Sequence, residues 1–390
     1  MILDKTFPPD PRVENEAVEL IKAGNEVFLF CLHYTNKNDE TDANGIQIKR
    51  YKSNTLEYKF SALTYTVPVY SWLMKQKISH FIKHNKIEAL HIHDMRIAQA
   101  TFWANKTFKL KTVLDLHDNF PEIMKFYPHL QKFPGKYLIS PKKWKHKEEQ
   151  FIKKATKVIT VSNEFVNEII ERTSVEKTKV ELVPNTIRKS FYEDYILDEK
   201  IIEKYKNDFV VLYLGDTNLR RGLQTAIRAS KVLKNQITNY KLVIVGSNTT
   251  DIILKQEIEE NNLNDCVIME GWQDVSLFQS YIKASAVCIS PLHRNIQHDI
   301  AYANKLFQYM SFAKPLLVSN ATAQKNLIQK VKAGLVHTEK DADDFCAKIL
   351  ELYHDASLRD KLGNNGQQFV MNEFTWDKTS QNLINLYKNL

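Results

Sequence analysis

Short apolar runs alternate along the chain with longer stretches in which apolar residues recur every three to four positions. The first pattern is typical of buried strands and the second of amphipathic helices. Their alternation predicts βαβ units on parallel sheets. The predicted strands are Glu26–Leu32, Ala89–Ile92, Thr112–Leu116, Lys157–Val161, Phe209–Leu214, Lys241–Val245, Val267–Met269, Ala286–Ile289 and Pro315–Val318. The predicted helices are Val13–Ala23, Tyr65–His84, Arg96–Lys106, Glu164–Arg172, Leu223–Leu233, Ile252–Glu260, Leu277–Lys283, Lys305–Phe312 and Ala342–Tyr353.

A chain of 390 residues is too long for one ordinary domain, so we expect two. The pattern predicts an α/β fold in which two doubly wound parallel-sheet domains face a cleft. A strand ends in the segment LVPN, and a charged, tyrosine-rich stretch follows it. The predicted domains are therefore residues 1–185 and 186–373, with the amphipathic segment 374–390 packing back onto the first.

The composition, with 43% hydrophobic and 26% charged residues, is that of a globular protein. The four cysteines lie far apart and form no CxxC pair, which argues against a disulfide framework or a structural zinc site. No segment is apolar enough to span a bilayer, and the N-terminus lacks a signal-peptide pattern. We expect a cytoplasmic protein, with peripheral attachment to the inner face of the plasma membrane as an alternative.

The formal net charge of +8 indicates a polyanionic partner. Nine lysines lie between Lys132 and Lys157 against two acids, Glu148 and Glu149. Aromatic and aliphatic residues are interleaved with them, a pattern that suits an anionic membrane surface. A solvated helix face explains the same pattern, and both interpretations stay open. The sequence has no aromatic RNA-binding motif or zinc knuckle, so we do not expect nucleic acid as a partner.

The segment YLGDTNLRRGL leaves a predicted strand and enters a helix. Gly215 permits a tight turn there, and Arg220 and Arg221 arrive at the first turn of the helix. Free amide groups at a helix start favour an anion, and guanidinium groups add bidentate phosphate binding. A diphosphate is therefore a candidate ligand, with solvated surface arginines as the alternative.

A second polar loop, SPLHRNIQHDIAYANKLFQYM, also follows a predicted strand. A helix is expected to start at Asn304 or Lys305, with Leu306 on its buried stripe and Gln308 near its open end. Cationic and amide donors again crowd a helix start, and Gln308 is a candidate to hold a ribose hydroxyl. An ordinary amphipathic helix with a solvated polar face is the alternative.

In the first domain the segments HIHD and DLHDNFPE each follow a strand. His93, Asp94, His117 and Asp118 should line the cleft, because ligands bind beyond the carboxyl ends of parallel strands. A histidine there can bond sugar hydroxyls or move a proton near neutral pH. A metal site is a weaker interpretation, since the HxHD segment supplies no clear third and fourth ligand from within itself. A histidine hydrogen-bonded within a strand end is the structural alternative.

The segment FPPDPRVE turns from the first strand into the first helix. Asp10 can cap that helix, and Pro11 suits its first turn. Arg12 is then expected at the rim of the cleft, and a purely structural cap is the alternative.

In this order and spacing the motifs resemble the retaining family of group 1 glycosyltransferases, which has the GT-B fold of two Rossmann-like domains. The resemblance covers essentially the whole chain, through FPPDPRVENEA, HIHD, DLHDNFPE, LVPN, YLGDTNLRRGL, GWQD, NKLFQYMSFAKPLLVSN and the terminal NEFTW. It implies transfer of a sugar, with retention, from a nucleotide-diphosphate sugar to a saccharide or lipid-linked acceptor. It also implies that no cofactor, metal ion or enzymatic nucleophile is needed. Polysaccharide or lipid-linked saccharide assembly is the implied setting.

The resemblance further implies roles for single residues. Arg221 stands where the family has a lysine that grips the donor diphosphate, His117 stands near the transferred sugar, and Gln308 replaces a ribose-binding glutamate. The implied catalytic residues are His117, Asp118 and Arg221. The implied donor-binding residues are Gly215, Arg220, Arg221, Gly246, Gly271, Trp272, Asp299, Asn304, Lys305, Leu306 and Gln308, and the acceptor or cleft residues are Arg12, His93, Asp94 and Asn185.

Three positions depart from the family pattern. Ile300 stands where the family has a glutamate eight residues before Gln308, Asp216 stands where it has an arginine, and FPPDPR replaces a glycine-rich turn. A different donor sugar or a reduced activity is therefore left open. The rival functions are a sugar-nucleotide epimerase or hydrolase of the same fold, and a non-enzymatic binder of polyanions or membrane surfaces.

Overall fold

The computed structural model describes residues 1–35 and 37–390, with the side chains of Pro128 and His129 left out. The chain forms two compact units, Met1–Pro184 together with Ser380–Leu390, and Asn185–Thr379. Each unit contains a mainly parallel sheet with helices, so the predicted α/β class is confirmed. Residues 374–379, which the sequence analysis grouped with the returning segment, lie in the second unit. In the part of the chain that the structure describes, no helix is both long and apolar enough to cross a membrane.

Up to residue 184 the strands are β1 (Phe28–His33), β2 (Glu40–Thr41), β3 (Gln47–Lys52), β4 (Ala89–His93), β5 (Lys111–Leu116), β6 (Lys157–Thr160) and β7 (Val180–Leu182). The helices are α1 (Pro11–Lys22), α2 (Thr55–Ser61), α3 (Val69–His84), α4 (Met95–Phe108), α5 (Phe120–Met124), α6 (Pro128–Gln131), α7 (Gly135–Leu138), α8 (Pro141–Lys154) and α9 (Asn163–Thr173). A 3-10 turn covers Lys177–Lys179.

After residue 184 the strands are β8 (Phe209–Leu214), β9 (Tyr240–Val245), β10 (Val267–Gly271), β11 (Val287–Ser290), β12 (Leu316–Ser319) and β13 (Gly334–His337). The helices are α10 (Lys189–Tyr192), α11 (Glu199–Tyr205), α12 (Leu223–Gln236), α13 (Asp251–Glu260), α14 (Phe278–Ala284), α15 (Ile296–Ile300), α16 (Lys305–Ser311), α17 (Thr322–Val331), α18 (Ala342–His354), α19 (Ala356–Glu373), α20 (Trp376–Thr379) and α21 (Gln381–Lys388). The 3-10 turns are Leu219–Arg221 and Val275–Leu277. Helix α21 belongs to the first unit.

In the first unit one residue near the N-terminus joins two groups of strands. Ile2 bridges to Phe30 in β1 and to Ile92 in β4. The resulting order is β2-β3-β1-Ile2-β4-β5-β6-β7, in which only β2 runs antiparallel to its neighbour. The chain order reverses at Ile2, and ligands bind at the strand ends beside such a reversal.

The second unit has six parallel strands in the order β10-β9-β8-β11-β12-β13. Strands β8 and β9 are almost entirely buried, which explains why each is a continuous apolar run in the sequence. The order reverses between β8 and β11. The loops that follow these two strands therefore meet at the edge where such sheets bind ligands.

Candidate functional site

Three glycines end adjacent strands of the second unit and bring their backbones together. The amide of Gly215 donates to the carbonyl of Val245 over 2.8 Å, and the amide of Gly246 donates to the carbonyl of Gly271 over 2.7 Å. Gly246 has a φ of 140°, and a Cβ there would lie 1.9 Å from the carbonyl oxygen of Gly215. Only glycine fits at 246, so these strand ends present bare backbone that a phosphate can approach closely.

The loop after β8 holds Arg221 through Asp216. Arg221 Nε donates to Asp216 Oδ2 over 3.2 Å, and Asn248 Nδ2 donates to Asp216 Oδ1 over 2.7 Å. Burial opposes ionisation of Asp216, but Arg221 and Asn248 outweigh it and hold the pKa of this carboxyl below its ordinary value. The aspartate that departs from the family pattern therefore orients the guanidinium group.

The loops that follow β8 and β11 contact each other. The amide of His293 donates to the carbonyl of Arg220 over 3.0 Å. A Cβ at Gly222, where φ is 76°, would lie 1.8 Å from the carbonyl oxygen of Pro291. Glycine at 222 therefore lets the arginine-bearing loop pack against the loop that leads to α16.

Lys305, the first residue of α16, brings another cation to the same place. Its Nζ lies 3.4 Å from the centroid of the Tyr213 ring, and 3.8 Å from the position of a Cβ built on Gly215. Within the described residues this buried Nζ has no hydrogen-bond partner. Burial, reinforced by the charge of Arg221, holds the pKa of Lys305 well below its ordinary value. A buried ammonium without a partner is unfavourable, and a bound anion would supply the partner.

His298 is a further polar group of this cluster, and the sequence analysis missed it. Its side chain is buried, and its Nδ1 lies 2.7 Å from the carbonyl oxygen of His293. Its Nε2 has no hydrogen-bond partner in the described part of the chain. Burial, with the charges of Arg221 and Lys305 close by, lowers the pKa of His298 to about 3. The imidazole is thus neutral.

The other predicted donor residues lie in different environments. Trp272 is 72% exposed, and Asn304 is also exposed. Gln308 is half-buried, whereas the Leu306 side chain packs in the core of the second unit. Asn185 is the first residue of that unit. Their ligand contacts stay predictions.

Asp299, another predicted donor residue, bonds within the protein. Its Oδ1 accepts a hydrogen bond from the amide of Thr322 over 2.8 Å and lies 3.2 Å from Arg294 Nε. Thr322 is the first residue of α17, so this carboxylate stabilises the start of that helix. A contact between Asp299 and a donor sugar stays a prediction.

In the first unit Arg12 lies in a buried ion pair rather than at an exposed rim. Arg12 Nε and Nη2 donate to the two oxygens of Asp115 over 2.9 and 2.7 Å, and Nη1 donates to the carbonyl of Val183 over 3.0 Å. The Arg12 side chain is 5% exposed and that of Asp115 is 0% exposed. The expected rim position is wrong, because the first turn of α1 faces Asp115 at the end of β5.

His117 lies between two carboxylates. Its Nε2 is 2.6 Å from Asp115 Oδ2, and its Nδ1 is 3.5 Å from Asp94 Oδ2. Burial disfavours the charged imidazole, but the two carboxylates outweigh burial and raise the pKa of His117 to about 9. His117 is therefore cationic at neutral pH. Asp118, the next residue, is exposed.

Asp94 has a backbone conformation that side-chain-bearing residues rarely adopt. Its φ is 65° and its ψ is 169°, in a region used almost only by glycine. Its amide donates to the carbonyl of Asp115 over 2.9 Å, and its carboxylate accepts from the His117 amide over 3.4 Å. The conformation costs of the order of 1–3 kcal/mol, and it directs the carboxylate towards His117.

Beneath His117 lies a buried group with the donor types of a metal site. Single ligand atoms of Glu16, His91, His93 and Asp115 all lie within 4.8 Å of one another. The HxHD segment itself supplies only His91 and His93 of this group, and the fold adds Glu16 from α1 and Asp115 from β5. Arg12 already supplies a cation to both carboxylates, with its Nη2 3.0 Å from Glu16 Oε1 and 2.7 Å from Asp115 Oδ1. That the chain works without a metal stays a prediction.

Two family models match the chain. The model described as Glycosyltransferase Family 4 matches residues 12–191. The model described as Glycosyl transferases group 1 matches residues 195–369. The first match contains His117, and the second contains the loops that carry Arg221 and Lys305.

Comparison with single proteins agrees with these matches. The capsular polysaccharide biosynthesis glycosyltransferase CapM of Staphylococcus aureus is 24% identical over 245 residues, which are 60% of this chain and 61% of CapM. The alignment therefore covers about three fifths of the length of this curated relative. Sucrose-phosphate synthase from Thermosynechococcus elongatus has a TM-score of 0.76 at 18% identity, covering 97% of this chain and 92% of that chain. Anabaena HepE in complex with UDP has a TM-score of 0.71 at 14% identity, covering 100% and 99%.

The structural likeness shows the fold, and the family models follow one another along the two units. The chain belongs to the group 1 glycosyltransferases and has their GT-B fold.

Proposed function

We propose that this chain transfers a sugar from a nucleotide-diphosphate sugar to a saccharide or lipid-linked acceptor, with retention of anomeric configuration and without a metal ion. The observation that carries the proposal is the juxtaposition of Arg221 and the buried Lys305 ammonium beside the bare backbone of Gly215. Within the described residues the ammonium has no hydrogen-bond partner. Such a site suits a group of high negative charge.

A diphosphate is the group that suits this site best. Negative charge grows on it as the glycosidic bond breaks, and donors fixed in advance act most strongly on developing charge. The planar fork of Arg221 matches phosphate geometry, and Lys305 adds a point charge. In this proposal the two side chains supply the positive charge that a divalent ion supplies in other transferases.

UDP is the nucleotide that we propose to test first. The solved HepE structure, which has the same fold, contains UDP. Trp272 follows Gly271 at the end of β10 and exposes a large aromatic ring. An exposed ring can stack against a flat base.

The proposed reaction replaces one bond at sugar C1 by another on the same face. The bond from C1 to the leaving phosphate oxygen breaks, and the acceptor hydroxyl oxygen bonds to C1. The acceptor proton passes to the leaving phosphate, so the chain supplies neither base nor nucleophile. A pKa of about 9 keeps His117 protonated at neutral pH, and we assign it to orienting hydroxyl groups rather than to removing a proton.

We place this activity in polysaccharide or lipid-linked saccharide assembly at the cytoplasmic face of a membrane. The support is the similarity to CapM, whose name refers to capsular polysaccharide biosynthesis.

The test is turnover with a panel of UDP-, GDP- and ADP-sugars, measured as diphosphate release with and without saccharide acceptors. Arg221→Gln should lower kcat/KM by about 10²- to 10³-fold, the usual effect of removing one donor to transition-state charge. Arg228→Gln is the matched control, because Arg228 lies on α12, is 51% exposed and pairs with Glu257. Unchanged turnover in Arg221→Gln, or equal losses in both variants, would refute the assignment. Diphosphate release that needs no acceptor would identify a hydrolase instead.

A further inference from the structure

The first unit exposes two apolar segments that lie about sixty residues apart in the sequence. The first, residues 66–72, exposes Val67, Val69 and Trp72, the last of them by 54%. The second, residues 132–143, exposes Phe133 by 84%, Tyr137 by 77% and Leu138 by 44%. Residues of this size are seldom so exposed in a group unless they bind something.

The fold joins these segments into one surface. Thr66 Oγ1 donates to the carbonyl of Leu138 over 2.7 Å. Next to it, the ring of Tyr65 packs edge-on against Trp144 of α8, with 4.5 Å between the ring centroids. The rings of Phe133 and Tyr137 lie 6.4 Å apart. We call residues 66–72 and 132–143 together the aromatic–lysine surface.

The charges on this surface have one sign. The sequence has no aspartate or glutamate between Glu57 and Glu88, and none between Glu122 and Glu148. The second of these stretches contains seven lysines. The exposed ones within the aromatic–lysine surface are Lys132, Lys136, Lys142 and Lys143. Its partner must therefore combine negative charge with an apolar region.

An anionic lipid bilayer has that combination. Tyrosine and tryptophan favour the headgroup level, where one end of the side chain stays wet and the ring is buried. Lysines are attracted to the negative surface potential of anionic lipids. Phe133, Leu138 and Val67 gain nothing from a nucleic acid backbone, whereas each gains from leaving water at the acyl boundary.

We propose that the aromatic–lysine surface docks the first unit onto an anionic membrane, with the rings of Phe133, Tyr137 and Trp72 entering the interface between exposed lysines. The sequence indicates a basic run from Lys132 to Lys157 as a candidate membrane contact. In the proposal argued from the structure, the membrane contact covers only residues 132–143 of that run and also includes residues 66–72. The proposal does not depend on the transferase reaction, because membrane binding is measured without turnover.

The first experiment measures flotation of the full chain with vesicles of equal parts phosphatidylglycerol and phosphatidylcholine. Lys132→Glu/Lys136→Glu should weaken vesicle binding by about 25-fold or more, since each lysine close to the membrane surface raises the affinity about fivefold. The control Lys255→Glu/Lys330→Glu changes two exposed lysines of the second unit and gives the same net charge. It should bind like the wild type, and binding should fall as salt shortens the Debye length.

The second experiment separates ring insertion from simple charge attraction. Phe133→Ser/Tyr137→Ser should weaken binding by about tenfold or more, because two exposed rings no longer enter the interface. Ile196→Ser/Ile252→Ser is the control, since these residues are 88% and 69% exposed in the second unit. All four positions are exposed, so the melting temperature should not move.

The proposal holds if both test variants lose vesicle binding and both controls keep it. Absence of binding by the wild type, or equal loss in tests and controls, would overturn it. Loss in the lysine variant alone, together with tight binding of a fluorescent single-stranded oligonucleotide, would also overturn it in favour of a general polyanion site.

Discussion

Replacing Lys305 by methionine should stabilise the free protein and weaken its binding of UDP. Methionine keeps the apolar stem that packs on Tyr213 and removes only the buried ammonium. Burying a charge away from water costs several kcal/mol of folding free energy. The cation–π contact with the Tyr213 ring offsets about 2 kcal/mol of that cost. A net gain of about 2 kcal/mol should remain, which corresponds to a rise in Tm of about 4–8 °C for a unit of this size.

The pH dependence of this gain follows from the sign of the pKa shift. Burial lowers the pKa of Lys305 from its ordinary value of 10.5. At any pH where the lysine is charged in the unfolded chain, folding must therefore either bury that charge or remove the proton, and both cost free energy. The stabilisation by Lys305→Met should be largest at low pH, decline as pH rises, and vanish above about 10.5.

Binding should change in the opposite direction. A hydrogen bond to a charged group contributes about 1.5–3 kcal/mol, so Lys305→Met should weaken UDP binding about tenfold to hundredfold. Melting curves and calorimetric titration with UDP measure the two effects on the same samples.

A half-buried lysine with hydrogen-bond partners provides the control. Lys314 Nζ donates to the carbonyl oxygens of Lys283 and Ser285 over 3.0 and 2.5 Å. Lys314→Met should therefore lower Tm and leave UDP affinity unchanged. The reasoning about Lys305 is refuted if Lys305→Met lowers Tm and binds UDP as the wild type does.

Three further predictions concern metal, pH and backbone. Excess EDTA should leave sugar transfer unchanged, and loss of activity restored by a divalent ion would contradict a metal-free mechanism. Because the pKa of His117 is raised to about 9 in the folded state, its ion pairs stabilise the fold by about 3 kcal/mol below about pH 6.5, and this stability is lost as the pH rises through about 9. His117→Gln should therefore flatten the fall of Tm across that pH window. A fall of Tm equally steep in His117→Gln and the wild type would count against the ion pairs. Gly246→Ala should destabilise the chain by about 3 kcal/mol or more, since its Cβ would clash with the carbonyl oxygen of Gly215. A Cβ at Gly271 has no atom within 4 Å, so Gly271→Ala should lower the stability less. Equal losses of Tm in the two variants would show that the close approach of Gly246 to Gly215 is unimportant.

The strands that are buried on both faces could be predicted from the sequence, and the more polar or terminal ones could not. Strands β8 and β9 are continuous apolar runs and were predicted close to their observed limits. Strand β3, with the sequence QIKRYK, is only half-buried and has no such signal. Helix α3 begins at Val69 rather than at Tyr65, because Pro68 disfavours helical backbone in the residue before it.

The two candidate sites differ in how much of them the sequence reveals. Gly215, Arg221 and Lys305 follow strands of one sheet, so parallel topology alone predicts that they meet. The partners that Asp115 and His91 find on α1 and α21 could not be predicted in this way. Asp115 accepts hydrogen bonds from Arg12, which is 103 residues away in the sequence. His91 Nδ1 lies 2.9 Å from the hydroxyl of Tyr387, which is 296 residues away. Such contacts depend on how α1 and α21 pack against the strand ends.

A charged residue within an apolar strand was the available signal for Asp115. The segment TVLDLHD places one carboxylate among apolar neighbours, and a buried carboxylate requires a cationic partner. Arg12 is that partner in the structure. The sequence does not identify it, because many other arginines and lysines would serve equally well.

Calorimetric titration of the wild type with UDP, GDP and ADP, each beside its own monophosphate, tests most directly whether these cations recognise a pyrophosphate. At least one diphosphate should bind tenfold or more tightly than its monophosphate, by roughly the 1.4 kcal/mol that a tenfold ratio represents. Equal affinities within all three pairs, or no binding at all, would contradict the proposal that Arg221 and Lys305 hold the leaving group of a sugar donor.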